Sequence, residues 1–364
     1  MRFDENILAD PRSAKTTGIV MFWILGLLAL IGLLGAIGHF GLPEKPLPPP
    51  PVPAPEKIME GAAPWFFRGE SDVAFLVCHG YGGSPFNTRP LGEFLHSLGH
   101  TAIGVLLPGH AQTIEAMNSS RYYHWRDHLE KLYLENRGKY RHFFLVGFSM
   151  GGALTLDIAA RNADSFRPAG IITISSPVFI NGLYDGKPVL HAPELILTGL
   201  IKIFRPVMPS KKIRTPSIER LNPWIGYRGA HALNALHSFK NGFRGVRSGL
   251  GRITTPYCNI MAANDRTVPS ENQHYIMRRI QSREKRSLMF IMPSDLSSMH
   301  SLLTHKGENK RVFGFIESFI ADVLSGRERG KTESHGEGML AKIKYKLFPG
   351  AVRREPEDMT GLNK

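Results

Sequence analysis

The chain has 364 residues, 42% of them hydrophobic and 21% charged, so it can bury a large core, and disorder of the whole is excluded. Its 45 Lys and Arg against 31 Asp and Glu leave a formal charge of +14, which favours anionic partners: nucleic acid, anionic lipid or an acidic substrate. The only two cysteines, Cys78 and Cys258, sit inside apolar runs and read as buried free thiols rather than as a disulfide or a metal site.

In chain order, a short segment (1–17) carrying Arg2, Arg12 and Lys15 leads into GIVMFWILGLLALIGLLGAIG (18–38). That run is uncharged and long enough to cross a bilayer, which takes roughly 20 apolar residues, so a transmembrane helix is expected. A cleaved signal peptide is the competing reading, but its apolar stretch is usually only about 7 to 15 residues. The nearest cations after the run are Lys45 and Lys57, so the positive charge before it places the N-terminus in the cytoplasm and the rest of the chain outside it. Residues 39–57 are proline-rich (LPEKPLPPPPVPAPEK from Leu42) and read as an extended, semi-rigid spacer, able at ~3.1 Å per residue to hold a domain away from the membrane.

From residue 58 to 325, apolar runs at 73–80, 101–109, 142–149, 169–177, 257–265 and 287–293 alternate with helical patterns at 89–99, 125–136, 151–163, 271–280 and 311–324. Continuous apolar strands alternating with helices predict a mostly parallel, doubly wound α/β sheet covered on both faces. The alternation breaks at about 178–251, where strand-like runs are missing. Residues 181–250 hold 11 Lys or Arg against 3 Asp or Glu, so +8 of the charge lies there, and an inserted, basic, mainly helical cap is expected. Residues 326–364 form a basic tail in which MLAKIKYKLFPGAVRR (339–354) reads either as an amphipathic helix lying on anionic lipid or as a disordered cationic segment. Nucleic acid explains the charge poorly, because no recognition motif accompanies it.

The chemistry concentrates in Gly147-Phe148-Ser149-Met150-Gly151-Gly152, between a strand and a helix. G-x-S-x-G in that setting is a nucleophile elbow: small residues permit the tight turn that projects the serine hydroxyl. A serine needs a base to take its proton and a carboxylate to orient that base, in the chain order Ser, acid, His. Asp265 ends a strongly apolar strand and His300 follows the last one, so both are the candidates. Asp295, Asp185 and His305 are the rivals. Carbonyl attack also needs donors for the oxyanion. The Met150 N–H is one; the Tyr81 N–H, in the glycine-rich loop His79-Gly80-Tyr81-Gly82-Gly83-Ser84 after the first long strand, is the other.

Taken together, HGYGGSP, LLPGH, GFSMGG, ND-x-x-VP and S-x-H resemble the carboxylesterase and monoacylglycerol lipase group of the α/β-hydrolases, over roughly residues 74–324. The resemblance implies the α/β-hydrolase fold, a Ser149, Asp265, His300 triad, an oxyanion hole from the Tyr81 and Met150 backbone, a cap over the acyl pocket, a lipid-like or monoacylglycerol-like ester substrate, and no metal or cofactor. One departure is Ala111, where the family usually has a second glycine after the histidine. Thioesterase, acyltransferase and peptidase chemistry use the same triad, and a catalytically silent membrane adaptor is the alternative from outside enzymology.

Overall fold

The computed structural model describes residues 11–42, 44–209, 215–293 and 299–326. The expected tail helix, Asp295 and Arg2 lie outside them. A helix α1 (Pro11–Phe40) opens the chain and is followed by an irregular proline-rich strap. The alternating portion then runs β1 (Trp65–Phe67), β2 (Val73–Cys78), α2 (Arg89–Ser97), β3 (Thr101–Val105), α3 (Ile114–Ser119), α4 (Tyr122–Asn136), β4 (His142–Phe148), α5 (Met150–Arg161) and β5 (Gly170–Ile174). Next come β6 (Asn181–Tyr184), β7 (Lys187–Leu190), α6 (Thr198–Phe204), β8 (Val207–Pro209), α7 (Pro216–Leu221), β9 (Ala230–Ala232) and α8 (Leu233–Gly249). The described residues end with β10 (Tyr257–Ala262), α9 (Glu271–Arg279), β11 (Lys285–Phe290) and α10 (Asn309–Ser325).

Seven strands form one sheet in the order β1-β3-β2-β4-β5-β10-β11, parallel throughout except for the antiparallel β1 edge. The period of two along each strand feeds two separate cores. Ala74, Leu76 and Cys78 face the layer that holds Trp125, Leu154 and Phe243, while Phe75 and Val77 face Leu91, Leu95, Ile316 and Phe319. This is the doubly wound arrangement expected from the unbroken apolar runs. Cys78 and Cys258 fall on opposite faces, both fully buried and free, and burial pushes both thiols up.

The stretch between β5 and β10, which are neighbours in the sheet, differs from the helical reading. Beside its helices it contains two small antiparallel pairs, β6-β7 and β8-β9. Strands of three or four residues carrying Gly and Pro have too little apolar periodicity to be read. A local signal was nevertheless there: Asp185-Gly186 joins β6 to β7 with both φ positive (51° and 75°), the conformation a two-residue hairpin turn demands. The last helix of the stretch, α8, packs through Phe239, Phe243 and Val246 into the same core as α5.

The strap also differs from a free spacer. Its Leu47 peptide is gripped on both sides by α4, the N–H donating to Tyr123 Oη at 2.9 Å and the carbonyl lying 2.8 Å from His124 Nε2. Glu44 pairs with Arg121 at 2.9 Å and with Lys202 of α6. Proline content dictates an extended backbone but not whether that backbone stands away from the domain or lies along it.

Candidate active site

Strand β4 ends at Phe148 and α5 begins at Met150, so Ser149 alone makes the turn. It does so at φ 54° and ψ −120°, a region that side chains rarely adopt and that costs of order 1–3 kcal/mol. The glycines around it explain how the turn is tolerated. A Cβ on Gly147 would lie 2.3 Å from the Gly151 carbonyl, one on Gly151 would lie 2.3 Å from Cys78 O, and one on Gly80 would lie 2.9 Å from Ser149 Cβ. Gly152 is equally constrained and was not singled out by sequence, since its Cβ would meet Ser176 Oγ after β5.

Asp265 leaves the carboxyl end of β10. Its Oδ1 accepts the N–H groups of Thr267 (2.7 Å) and Val268 (3.1 Å), and its Oδ2 lies 2.6 Å from His300 Nδ1. With the carboxylate accepting at Nδ1, the neutral imidazole carries its proton there and leaves Nε2 bare. His300 is held from behind by Ser175 Oγ, which donates to its carbonyl at 3.2 Å, and its ring lies 5.1 Å from that of Phe148, the residue before Ser149. Ser149, Asp265 and His300 thus converge at the carboxyl ends of the strands, each less than a tenth exposed. A histidine of this tautomer, with a buried carboxylate behind it, is suited to taking a proton from a hydroxyl presented to its Nε2.

Met150 is the first residue of α5, so its N–H is one of those a helix leaves without an intrahelical partner. Tyr81 follows Gly80 in the loop leaving β2. Its side chain is committed elsewhere: the hydroxyl donates to Ala232 O at 2.7 Å and the ring stacks on Phe239, 6.1 Å away. Behind this loop two histidines are fully buried. His79 Nε2 accepts the Leu107 N–H at 3.3 Å while Nδ1 lies 2.9 Å from Gly80 O, and burial pushes the ring down to about 4. His110, 4.8 Å from it, is held well below its ordinary value by burial and by His79, and its Nε2 has no hydrogen-bond partner among the described residues.

Two of the rivals, Asp185 and His305, have other partners, while Asp295 lies outside the described residues. Asp185 occupies the β6-β7 turn, paired with Arg279 at 2.6 Å. His305 is buried, but its Nδ1 accepts the N–H groups of Gly307 and Glu308 ahead of α10, a structural task. Ala111 adopts φ 53°, which accounts for glycine as the natural occupant there. Residues missed by sequence are those that tie the stretch between β5 and β10 to the glycine-rich loop. The Tyr227 N–H donates to Gly82 O at 2.8 Å, and its hydroxyl reaches Gly109 O at 2.5 Å and accepts the Gln112 N–H at 3.1 Å. Ser84 and Asn87 both donate to Ile225 O. Such partners lie more than a hundred residues away and follow no spacing rule. A cavity of about 620 Å³ lined in part by Arg167, Arg252, Arg283 and Glu284 opens at the opposite end of the sheet and contains none of these groups.

A family model described as Hydrolase_4, serine aminopeptidase, S33, matches residues 69–291. The thermostable monoacylglycerol lipase of Bacillus sp. (strain H-257) is 27% identical over 228 residues, 63% of this chain and 84% of that protein. A carboxylesterase of Bacillus subtilis (strain 168) is 22% identical over 224 residues, 61% and 83% of the two chains. Among solved structures, one of the metagenome-derived lipolytic enzymes LipS and LipT superposes with a TM-score of 0.62 at 22% identity, covering 73% of this chain and 99% of its own. A soluble variant of Saccharomyces cerevisiae monoglyceride lipase, in complex with a substrate analogue, gives 0.59 at 14% identity over 78% and 98%. Both structural likenesses speak for the fold.

Proposed function

Because the chain belongs to the Hydrolase_4 (S33) family of α/β-hydrolases, we propose that it cleaves carboxylic esters, lipid-like ones of the monoacylglycerol kind, through an acyl-enzyme on Ser149. The observation that carries the reading is the Asp265–His300 pair at 2.6 Å, at the same end of the sheet as a serine in a strained strand-to-helix turn. His300 Nε2 takes the proton of Ser149 Oγ as the oxygen attacks the carbonyl carbon. The N–H groups of Tyr81 and Met150 hold the developing oxyanion. As the intermediate collapses, His300 returns the proton to the departing alcohol, and the same steps with water as the nucleophile release the acid. Asp265 keeps the imidazole in the working tautomer and steadies its charged form. No step calls for a metal or a cofactor.

The stretch between β5 and β10 acts in this reading as a basic cap over the acyl side, and α1 as a single membrane span with the N-terminus in the cytoplasm. Twenty residues of α1, Met21–Phe40, have a mean hydropathy of 2.3 and are almost wholly exposed, which supports the anchor. The +8 of residues 181–250 supports attraction to anionic lipid.

A fluorophosphonate probe tests the chemistry. The full chain should be labelled, and Ser149→Ala should lose both label and turnover, the latter by up to roughly 10⁶. Label retained on another serine would overturn the assignment. A panel of acyl esters, acyl thioesters and aminoacyl amides then separates esterase from thioesterase and from the peptidase named in the family description; the ester should be cleaved best.

A further inference from the structure

Helix α1 does not simply end above the domain: its last turn is built into the inserted stretch. Lys240 of α8 donates to the carbonyl of His39 at 2.8 Å, Asn241 donates to that of Phe40 at 3.2 Å, and His237 Nε2 lies 3.1 Å from the same oxygen. These are carbonyls that a helix end leaves without partners, and here three α8 side chains meet them. Gly41, at φ 77°, stops the helix. Alongside, Gly38 packs on Leu197 and Gly199 lies so close that a Cβ would fall 2.3 Å from Ile37 O. Glu44, one turn further on, bridges Arg121 and Lys202. Burial pushes its carboxyl up, but the bonds from Lys202 and Arg121 outweigh that and hold it below its usual value.

This joint fixes a depth. The apolar run 18–38 is 21 residues, ~30 Å at 1.5 Å per residue, about the hydrocarbon thickness of a bilayer. Phe40 then stands at the far boundary, and whatever touches residues 37–41 stands there too. What touches them is the 3₁₀ turn Pro193–Leu197, α6 and α8. The neighbouring surface is apolar where a water-facing one would be polar. Leu197 and Ile203 are nearly half exposed and Phe204 is 78% exposed. On the β6-β7 hairpin the register puts Leu183, Pro188 and Leu190 on one face, all exposed, while Tyr184 and Val189 of the other face pack inward. Exposed cations accompany these apolar residues, with Lys187 next to Pro188, Arg205 next to Phe204 and Lys45 five residues after Phe40, the mixture of apolar and cationic groups that suits a membrane interface.

We propose that this outer face, Leu183, Leu190, Leu197, Ile203 and Phe204, is seated in the headgroup–acyl boundary of the leaflet from which α1 emerges. The inserted stretch is then a membrane-resident part of the enzyme, and a lipid ester reaches it without crossing water. The inference rests on α1 being a membrane span, and goes beyond it in assigning a second, non-spanning contact with lipid.

Depth-dependent quenching tests the two separately. Cys78 and Cys258 are wholly buried, so a thiol-reactive NBD fluorophore on the full chain reports a single introduced cysteine, with the unsubstituted chain as background. Four variants, Leu30→Cys, Leu190→Cys, Phe204→Cys and Lys131→Cys, are reconstituted in phosphatidylcholine vesicles carrying nitroxide lipids labelled near the ester linkage or near the chain terminus. Leu30→Cys should lose most of its emission to the deep nitroxide, Leu190→Cys and Phe204→Cys to the shallow one, and Lys131→Cys, on α4, to neither. Deep quenching at 30 with positions 190 and 204 behaving like 131 overturns the proposal and leaves the anchor standing. No quenching at 30 removes the anchor and the proposal with it. Blue-shifted emission at 190 and 204 without lipid quenching, in a chain that runs as a dimer, makes a second copy the occupant and likewise overturns it.

Discussion

Asp265 accepts from two peptide N–H groups with one oxygen and meets His300 with the other, so the ring has only one tautomer that fits. In Asp265→Asn the amide oxygen can still serve Thr267 and Val268, but the amide nitrogen then faces His300 Nδ1 and demands the opposite tautomer. The expected loss in kcat is ~10⁴ with the fold intact, the size associated with a misoriented imidazole. Asp185→Asn should leave kcat near that of the parent, because Asp185 sits on a surface turn with Arg279 and asparagine is at home at its φ of 51°. Steady-state kinetics of the two variants, with circular dichroism to confirm folding, decides the matter; equal losses would remove Asp265 from its role. Ser149, Asp265 and His300 could be proposed from sequence because each follows an apolar strand, a local property of sequence. Glu44 with Lys202 could not, since the two lie 158 residues apart and neither position has any periodicity to betray it. The same holds for Tyr227, an aromatic in a Gly-rich stretch that sequence gives no reason to prefer over its neighbours.

Among the elements, the sheet strands were the most readable and the inserted stretch the least. Strands buried on both faces must be apolar along their whole length, whereas β6 to β9 are held by their turns and by contacts with the rest of the domain. One of those contacts has measurable weight. The Tyr227 hydroxyl serves Gly109 O and the Gln112 N–H, in the loop that also contains buried His110, and the Tyr227 N–H serves Gly82 in the candidate oxyanion loop. Tyr227→Phe keeps the ring and the backbone bond but strands the Gln112 N–H and the Gly109 carbonyl. A loss of about 1–3 kcal/mol in denaturant unfolding is expected, with m unchanged. No loss would mean that the inserted stretch bears on the loop through packing alone.

For the molecule as a whole, buried neutral histidines couple folding to pH. The His79 ring titrates at about 4 in the fold and near 6.5 in an unfolded chain. Between those values the unfolded state holds more protons, so the contribution to stability is complete above pH 6.5 and drains away as the pH falls towards 4. From pH 7.5 to 5 that amounts to about 2 kcal/mol from His79 alone, and His110 adds to it with the same sign. Denaturant midpoints measured at the two pH values should show this drop. His79→Asn should start lower at pH 7.5, having lost the Leu107 bond, and fall less on acidification. An equal fall in both proteins would show that the ring is already protonated in the fold.

With α1 as the proposed membrane span, its joint with α8 would also make bilayer thickness a mechanical input. A membrane helix longer or shorter than the local hydrocarbon layer relieves the mismatch by tilting. On a flexible tether that tilt would stop at the end of the helix. Here Lys240, Asn241 and the Glu44 bridge carry it into α8 and α6, and Tyr227 ties the same stretch to the loop beside Ser149. Tilt of α1 in a membrane would then become rotation of the elements around the candidate site, and turnover in thick and thin membranes would differ for this chain in a way it would not for a domain on a loose leash.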